Sequence, residues 1–246
     1  MESLENSRIP LVIPVYNHGD RVGLVIEKAL KTGRPIIVVD DGSTDRTPEA
    51  LSSFPGITVL RHPRNLGKGA ALATGLAAAA RVADLAITLD ADGQHDPEEA
   101  ENLIRALGDG RRRALVLGRR RDMAQAGAPW TSRWGGKWSN FWVWLAGGGL
   151  HPDTQTGFRL YPLPETLRLG AGCERFQYEL EILVLAAWHR LPILSAPVTV
   201  TYQPRGERVS HFQPGPDFWR NTKTIARLIA ARLLIPRYFR TRKAEP

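Results

Sequence analysis

The chain has 246 residues, enough for one substantial α/β domain or for a domain with an appendage. Its apolar fraction of 43% and charged fraction of 24% exclude a disordered protein, and a single cysteine, Cys173, excludes an internal disulfide framework and fits a reducing compartment. A net charge of +8 calls for anionic partners, with nucleic acid, anionic lipid and phosphorylated small molecules all open on charge alone.

Met1 to Arg8 is acidic and polar and lacks the apolar core of a secretory signal. Leu11 to Val15 then predicts a strand, Asp20 to Lys31 a helix and Ile36 to Val39 a second strand. A short helix over Thr47 to Phe54 leads to a strand at Ile57 to Leu60. The alanine-rich run Lys68 to Val82 predicts a helix, and Leu85 to Leu89 a strand. Pro97 opens a helix that Glu98 to Leu107 continues and Gly108 to Gly110 stops, before a strand at Ala114 to Leu117. Repeated alternation with short links predicts a mostly parallel central sheet flanked by helices.

In such sheets ligands bind beyond the carboxyl ends of the strands. Asn17, Asp40, Asp41, Asp90, Asp92 and the pair Arg119-Arg120 all follow predicted strands directly, so they converge on one rim. The sharpest signal is Asp90-Ala91-Asp92-Gly93-Gln94, in which a buried strand runs into two carboxylates one residue apart and then an amide. Hard oxygen donors of this kind suit Mg²⁺ or Mn²⁺, which leave coordination positions for water and phosphate. One Asp-x-Asp is common in turns. A second acidic strand end, Val38-Val39-Asp40-Asp41-Gly42-Ser43, gives the pattern weight.

The second half is less regular. Trp130 to Leu145 holds five of the seven tryptophans, and Trp134, Trp138, Phe141, Trp142 and Leu145 form one helical stripe. That stripe reads as core packing, or as a face at a membrane interface, where indoles are well placed. A loop around Asp153, a strand Phe158 to Tyr161, a helix Tyr178 to Trp188 and a strand Ile193 to Tyr202 follow. From Phe218 to Lys243 the chain is basic and amphipathic, with Phe218, Ile225, Ile229 and Leu233 on one side and Arg220, Lys223 and Arg227 roughly opposite. Arg232 interrupts the separation and Pro236 ends the helix. This segment reads either as a helix lying on a membrane or as one docked on the domain. No run of about 18 apolar residues is present to span a bilayer.

Seven motifs stand in order: Ile13-Pro14-Val15-Tyr16-Asn17, Val39 to Asp45, Asn65 to Gly69, Asp90 to His95, Gly118-Arg119-Arg120, Asp153 to Arg159, and Arg205 through Ser210-His211. Over roughly Pro10 to His211 the chain resembles the family 2 glycosyltransferases of GT-A fold. The likeness is to the branch with dolichyl-phosphate mannose synthases and bacterial polyprenyl-phosphate glycosyltransferases. The resemblance implies a tail over 1–9, a Rossmann-like GT-A domain over 10–213 and a basic amphipathic segment over 214–246.

It also implies roles. Pro14, Tyr16, His18, Val38 and Asp40 would line the nucleotide-sugar pocket, with Asp40 accepting from the base edge, and Lys68, Asp90 and Ala91 would continue it. Asp92 and Gln94, with Asp90, would hold Mg²⁺ or Mn²⁺ against the diphosphate. Arg120, Arg133 and Lys137 would meet the acceptor phosphate, and Arg120, Arg205 and His211 the pyrophosphate, a task that suits the planar fork of arginine. Asp153 would act as base for a hydroxyl acceptor, or position groups for a lipid phosphate, which needs none. The chain departs from the pattern at His18, where relatives carry Glu, at Lys137, commonly Ser, and at His211, which replaces the lysine of the closing motif.

The expected activity is metal-dependent, inverting transfer of a sugar from a UDP- or GDP-sugar to a lipid acceptor, a polyprenyl phosphate, by a cytoplasmic enzyme peripheral to the inner face of the cell membrane. The alternatives are a hydroxyl acceptor on a lipid or glycan, and a non-catalytic protein that binds lipid phosphate. The segment Pro14 to Gly19 lacks the Gly-x-Gly-x-x-Gly of a dinucleotide-binding protein, and Gly67-Lys68-Gly69-Ala70 lacks the glycine and hydroxyl of a P-loop. Arg111-Arg112-Arg113 and Arg119-Arg120-Arg121 offer phosphate patches, but no nucleic-acid module accompanies them, so nucleic acid is not an expected partner.

Overall fold

A computed structural model describes residues 9–108, 113–121, 130–202 and 214–235. Strands β1 (Leu11–Val15), β2 (Ile36–Asp40), β3 (Thr58–Arg61), β4 (Leu85–Thr88), β5 (Leu115–Arg120), β6 (Arg159–Pro162) and β7 (Ile193–Val198) form one sheet in the order β3-β2-β1-β4-β6-β5-β7. β6 runs antiparallel to both neighbours and every other pairing is parallel, so the sheet is mostly parallel as expected. β1 and β2 are buried at every position, which is why they read as unbroken apolar runs rather than alternating ones.

Helices cover both faces. On one side α1 (Gly19–Lys31) buries Val22, Val25, Ile26 and Ala29, a single helical stripe, against Ile13, Val15 and Val38. The 3₁₀ turn Pro97–Glu99 and α4 (Ala100–Arg105) complete that layer. On the other side α3 (Lys68–Ala79) lies close on the sheet through small residues. A Cβ at Gly75 would stand 2.4 Å from Val12 Cγ1, so the alanine- and glycine-rich composition permits the approach. The same layer holds α5 (Trp130–Leu145), α7 (Tyr178–Trp188) and α8 (Pro214–Leu234). Two short helices, α2 (Thr47–Ser52) and α6 (Leu163–Arg168), bridge strands. α6 has no counterpart in the sequence reading; Pro164 sits in its first turn, where a missing N–H costs no helix hydrogen bond.

The helical stripe of α5 is divided between core and surface: Ser139, Val143 and Ala146 are buried and Trp142 packs against the core, while Trp138 and Phe141, with Trp144 beside them, are exposed. The apolar side of α8 is used for docking, with Ile225 and Leu228 buried and Ile229 packed beside them against α5 and α7. β7 stops at Val198 and tolerates Pro197 because it is an edge strand. No helix among the described residues is long and apolar enough to cross a membrane.

This topology brings the functional segments together. β1, β2, β4, β5 and β7 all point their carboxyl ends to the same rim, and antiparallel β6 delivers the loop that precedes it, 153–158, to that rim as well. β1 pairs with β2 along its whole length but with β4 only at Leu11 and Val12. Leu11 N–H donates to Pro35 O, so the N–H positions of Val12 and residue 14 face β4. Proline at 14 therefore removes the donor that would extend the β1–β4 ladder, and the two strands part there. The crevice falls where the strand order reverses, the ordinary ligand position in open α/β sheets.

Candidate active site

Asp40 closes β2 on one side of this crevice. Its carboxylate is buried; Oδ1 accepts from Ser43 N–H at 2.8 Å, and Oδ2 lies 3.2 Å from Arg61 Nε without a hydrogen bond among the described residues. Among the described residues that buried oxygen has an ion-pair partner but no hydrogen-bond donor, so it can accept a further one. The adjacent Asp41 is fully used: it accepts from Leu66 N–H at 2.9 Å and Gly67 N–H at 2.7 Å and pairs with His62 Nδ1 at 2.7 Å. Its work is to hold the turn that launches α3. Asn17, at φ 51°, is fixed by Ser43 Oγ and Thr44 N–H, tying the end of β1 to the loop after β2. Pro14 is buried within β1 and Tyr16 and His18 stand half-buried just after it, whereas the side chain of Val38 belongs to the apolar core.

On the other side of β1, Asp90 and Asp92 follow β4. Lys68, at the start of α3, places Nζ 2.7 Å from Asp90 Oδ1 and 3.1 Å from both oxygens of Glu179 on α7. Burial opposes the Lys68 charge, but the two carboxylates outweigh it and hold the ammonium above the ordinary lysine value. Burial likewise opposes ionisation of Asp90, yet Lys68, with His95 and Arg159, keeps that carboxyl below the usual range. Asp92 is less well compensated: burial, then the charge of Asp90, push it up to about 6 against the more distant charges of Lys68 and Arg21, and Oδ1 accepts Gln94 N–H at 3.0 Å. Ala91 points into the core.

Gly157 sets the spacing here. A Cβ at that position would stand 2.3 Å from Asp90 Oδ2, so any side chain would displace the carboxylate. The loop carrying Gly157 is anchored by Arg159, a fully buried guanidinium that donates to Thr156 O, Thr154 O and Glu179 O at 2.7–2.8 Å. Buried charge is tolerated because its donors are spent on carbonyls.

At the far end of the rim Arg120 closes β5. Nε and Nη2 donate to Asp153 Oδ2 and Oδ1 at 2.7 and 2.9 Å, a two-bond fork, and Nη1 reaches Tyr202 Oη at 3.4 Å. Two residues read separately from the sequence are thus each other's partners. From Asp40 to Arg120 the rim crosses four strand spacings, about 20 Å. Arg133 and Lys137 lie in α5 with side chains outside the described residues, and Arg205 and His211 lie outside them altogether. The triplet 119–121 belongs to this rim, and Arg113 pairs with Glu165 at 3.0 Å.

The residues missed at the sequence level are Glu179, Arg159 and Tyr202. Glu179 carried a usable signal, since it and Glu181 interrupt an otherwise apolar helix, YELEILVLAAW, and a buried acid requires a partner.

For a divalent ion the donors at hand are the Asp90 and Asp92 carboxylates and the Gln94 amide, all hard oxygens. No group of three or more His, Cys, Asp or Glu side chains able to hold a metal occurs among the described residues. Crowding of Asp92 by Asp90 is the feature that fits a cation, which would relieve it. A site with few protein ligands suits an ion that also takes diphosphate and water.

The sheet order, the crevice and the acidic rim define a glycosyltransferase of GT-A architecture. The Glycosyl transferase family 2 profile matches residues 11–162, and the chain belongs to that family. The uncharacterized protein MJ1222 of Methanocaldococcus jannaschii is 30% identical over 82% of this chain and 85% of its own length. The UDP-N-acetylglucosamine–dolichyl-phosphate N-acetylglucosaminyltransferase of Methanococcus voltae is 28% identical over 79% of this chain and 86% of its own. Among solved structures, glucosyl-3-phosphoglycerate synthase of Mycobacterium tuberculosis, in complex with Mg²⁺ and UDP, superposes with a TM-score of 0.65 at 19% identity, over 93% of this chain and 80% of that one. At that identity the likeness is one of fold.

Proposed function

We propose that this family 2 glycosyltransferase moves a sugar, with inversion, from a nucleoside diphosphate sugar to a polyprenyl phosphate at a membrane surface. The carrying observation is the placement of Asp40, with its spare buried oxygen, and of Asp90 and Asp92 on opposite sides of the crevice that opens at Pro14. Asp40 would take the base edge. Asp92 and Gln94, with Asp90, would hold Mg²⁺ or Mn²⁺, which when bound supplies positive charge to the diphosphate as it leaves. Lys68 would act by holding Asp90 ionised and in place, since its ammonium is already shared between two carboxylates. Arg205 and His211 would close over the pyrophosphate, with Arg133 and Lys137 toward the acceptor. In the transfer a phosphate oxygen of the acceptor bonds to the anomeric carbon as the bond from that carbon to the diphosphate breaks.

The acceptor class is supported by the activity for which the Methanococcus voltae relative is named and by the Arg120–Asp153 fork. A phosphate is already anionic and needs no base, so Asp153 is free to remain paired. The enzyme would work as a peripheral protein on the cytoplasmic face of the cell membrane, and residues 10–213 would form the catalytic domain. A donor screen tests the proposal, with UDP and GDP release measured with and without Mn²⁺ for wild type and Asp92→Ala. Equal turnover of the two proteins, or turnover indifferent to chelation, would overturn the metal role. Transfer to a hydroxyl acceptor but not to a polyprenyl phosphate would overturn the acceptor.

A further inference from the structure

Helix α5 has two functions on two faces. Its inner face buries Val143 and Ala146, and Ser139 and Asn140 grip the loop that carries Asp153: Thr154 N–H donates to Asn140 Oδ1 at 3.1 Å, and Thr154 Oγ1 meets Asn140 Oδ1 at 2.7 Å and Ser139 Oγ at 3.0 Å. Its outer face presents Trp138, Phe141 and Trp144, which are 56%, 48% and 45% exposed. These rings are mutually braced. Trp138 and Phe141 meet Trp142 edge-on at 5.6 and 5.3 Å, and Phe141 lies 5.9 Å from Trp144. Three large aromatics standing outward together on one helix are not the scattered apolar residues of an ordinary surface.

α8 adjoins this face. Arg232 Nη1 donates to Leu145 O at 2.5 Å, which brings the last turn of α8, with Leu233 and Leu234 exposed, against the end of α5. Arg220 and Lys223 stand exposed further along the same helix. Arg227 of α8 pairs with Glu181 and Arg232 with the end of α5, so among the described side chains the outward basic charge of α8 is that of Arg220 and Lys223.

We propose that this surface docks on a bilayer containing anionic lipid, with the α5 rings in the interfacial layer and the α8 basic residues at headgroup phosphates. An indole, apolar with one N–H donor, suits that layer, and the charge suits its headgroups. A second copy of the chain is disfavoured as the occupant, because it would bring a second basic surface against the first. The inference rests on the lipid-acceptor reading above and deepens it. α5 holds the Asp153 loop with one face and would meet the bilayer with the other, so a lipid phosphate would arrive at a fixed offset from the rim.

The test uses full-length protein and vesicles containing neither acceptor nor nucleotide, of phosphatidylcholine alone or mixed with phosphatidylglycerol, read by flotation and tryptophan emission. Wild type is expected to float with the anionic vesicles. Phe141→Ser is expected to weaken partition roughly tenfold and Trp138→Ser with Trp144→Ser by a further order of magnitude or more. Arg220→Glu with Lys223→Glu is expected to abolish the preference for anionic lipid. The altered rings are about half exposed, so thermal melting should fall only slightly, and the charge pair, which leaves the rings intact, provides an independent reading. Failure of wild type to float, undiminished binding by both sets of variants, or a dimer in solution that the same serine substitutions dissociate would each overturn the inference. Transfer to a short polyprenyl phosphate in detergent separates the two readings: transfer without vesicle binding discards the docking face alone, and binding without transfer discards the acceptor alone.

Discussion

Lys68→Met is the substitution that interrogates the interior of the site most directly. The ammonium stands between Asp90 and Glu179 at 2.7 and 3.1 Å, and only 17% of the side chain is exposed. Its removal leaves two carboxylates facing each other, and Arg159, which also acts on both, donates to backbone carbonyls. Stranding a charge by deleting one member of a buried ion cluster costs about 3–5 kcal/mol. Glu179→Gln should cost less, about 1–2 kcal/mol, because burial already opposes ionisation of Glu179 and glutamine keeps an acceptor for Lys68. The double variant removes the repulsion that Lys68→Met creates, so its loss should fall short of the sum by at least about 1 kcal/mol. Urea denaturation followed by tryptophan emission measures all three. The pH dependence has a definite sign. In wild type the folded Asp90 carboxyl titrates below its ordinary 3.8, so its contribution to stability is present above that pH and is lost as pH falls through the folded value. In Lys68→Met the largest favourable charge is gone and only His95 and Arg159 still counter burial and Glu179, so the folded value rises and the deficit should be greatest near neutrality and shrink as pH falls. Additive energies, or a deficit insensitive to acid, would refute the cluster as described.

Gly157→Ala should displace the Asp90 carboxylate, lowering stability by about 1–3 kcal/mol and abolishing transfer, with calorimetry and UDP release as the checks. Mn²⁺ affinity, read by proton relaxation, should fall about tenfold per unit as pH drops below the Asp92 value of about 6, because a proton competes with the ion; Asp92→Asn should bind weakly at every pH. Arg61→Ala should leave Asp40 without its neighbouring cation and weaken nucleotide binding by a few-fold in a titration monitored by calorimetry, without loss of fold, since Arg61 is largely exposed. Cys173, pushed up to about 11 by burial, should react with a disulfide reagent at pH 7.5 far more slowly than in the urea-unfolded chain.

The strand ends were legible because both halves of the signal are local. An apolar run buried on both faces reads directly from Leu11–Val15, Ile36–Asp40 and Leu85–Thr88, and the polar residue that ends each run must emerge at the rim. What could not be read is long-range. Nothing local in Arg159–Pro162 declares that β6 runs antiparallel, yet that reversal carries the 153–158 loop to the rim and lets Asp153 meet Arg120. The Lys68–Glu179 contact joins residues 111 apart in the chain and depends on the packing of α3 near α7. The α5 stripe was only partly informative, for a different reason. Periodicity marks the apolar side of a helix but does not say what covers it, and small residues, Ser139 and Ala146, let the inner face pack without bulk.

The Arg120–Asp153 fork bears on the acceptor more than any residue read in isolation. A carboxylate that accepts two charge-assisted hydrogen bonds from one guanidinium is poorly placed to take a proton from a hydroxyl. It would have to surrender roughly 3 kcal/mol of pairing and leave Arg120 half-buried without a counter-charge. An anionic acceptor makes no such demand. A guanidinium has five N–H donors, and the fork engages two of them while Nη1 reaches Tyr202, so Arg120 can remain locked on Asp153 and still present donors to a phosphate. On the proposed reading Asp153 would work by orientation, holding the fork in one plane. Its own loop is held by Ser139 and Asn140 of α5, so the orientation of the fork is tied to the helix whose other face exposes Trp138, Phe141 and Trp144.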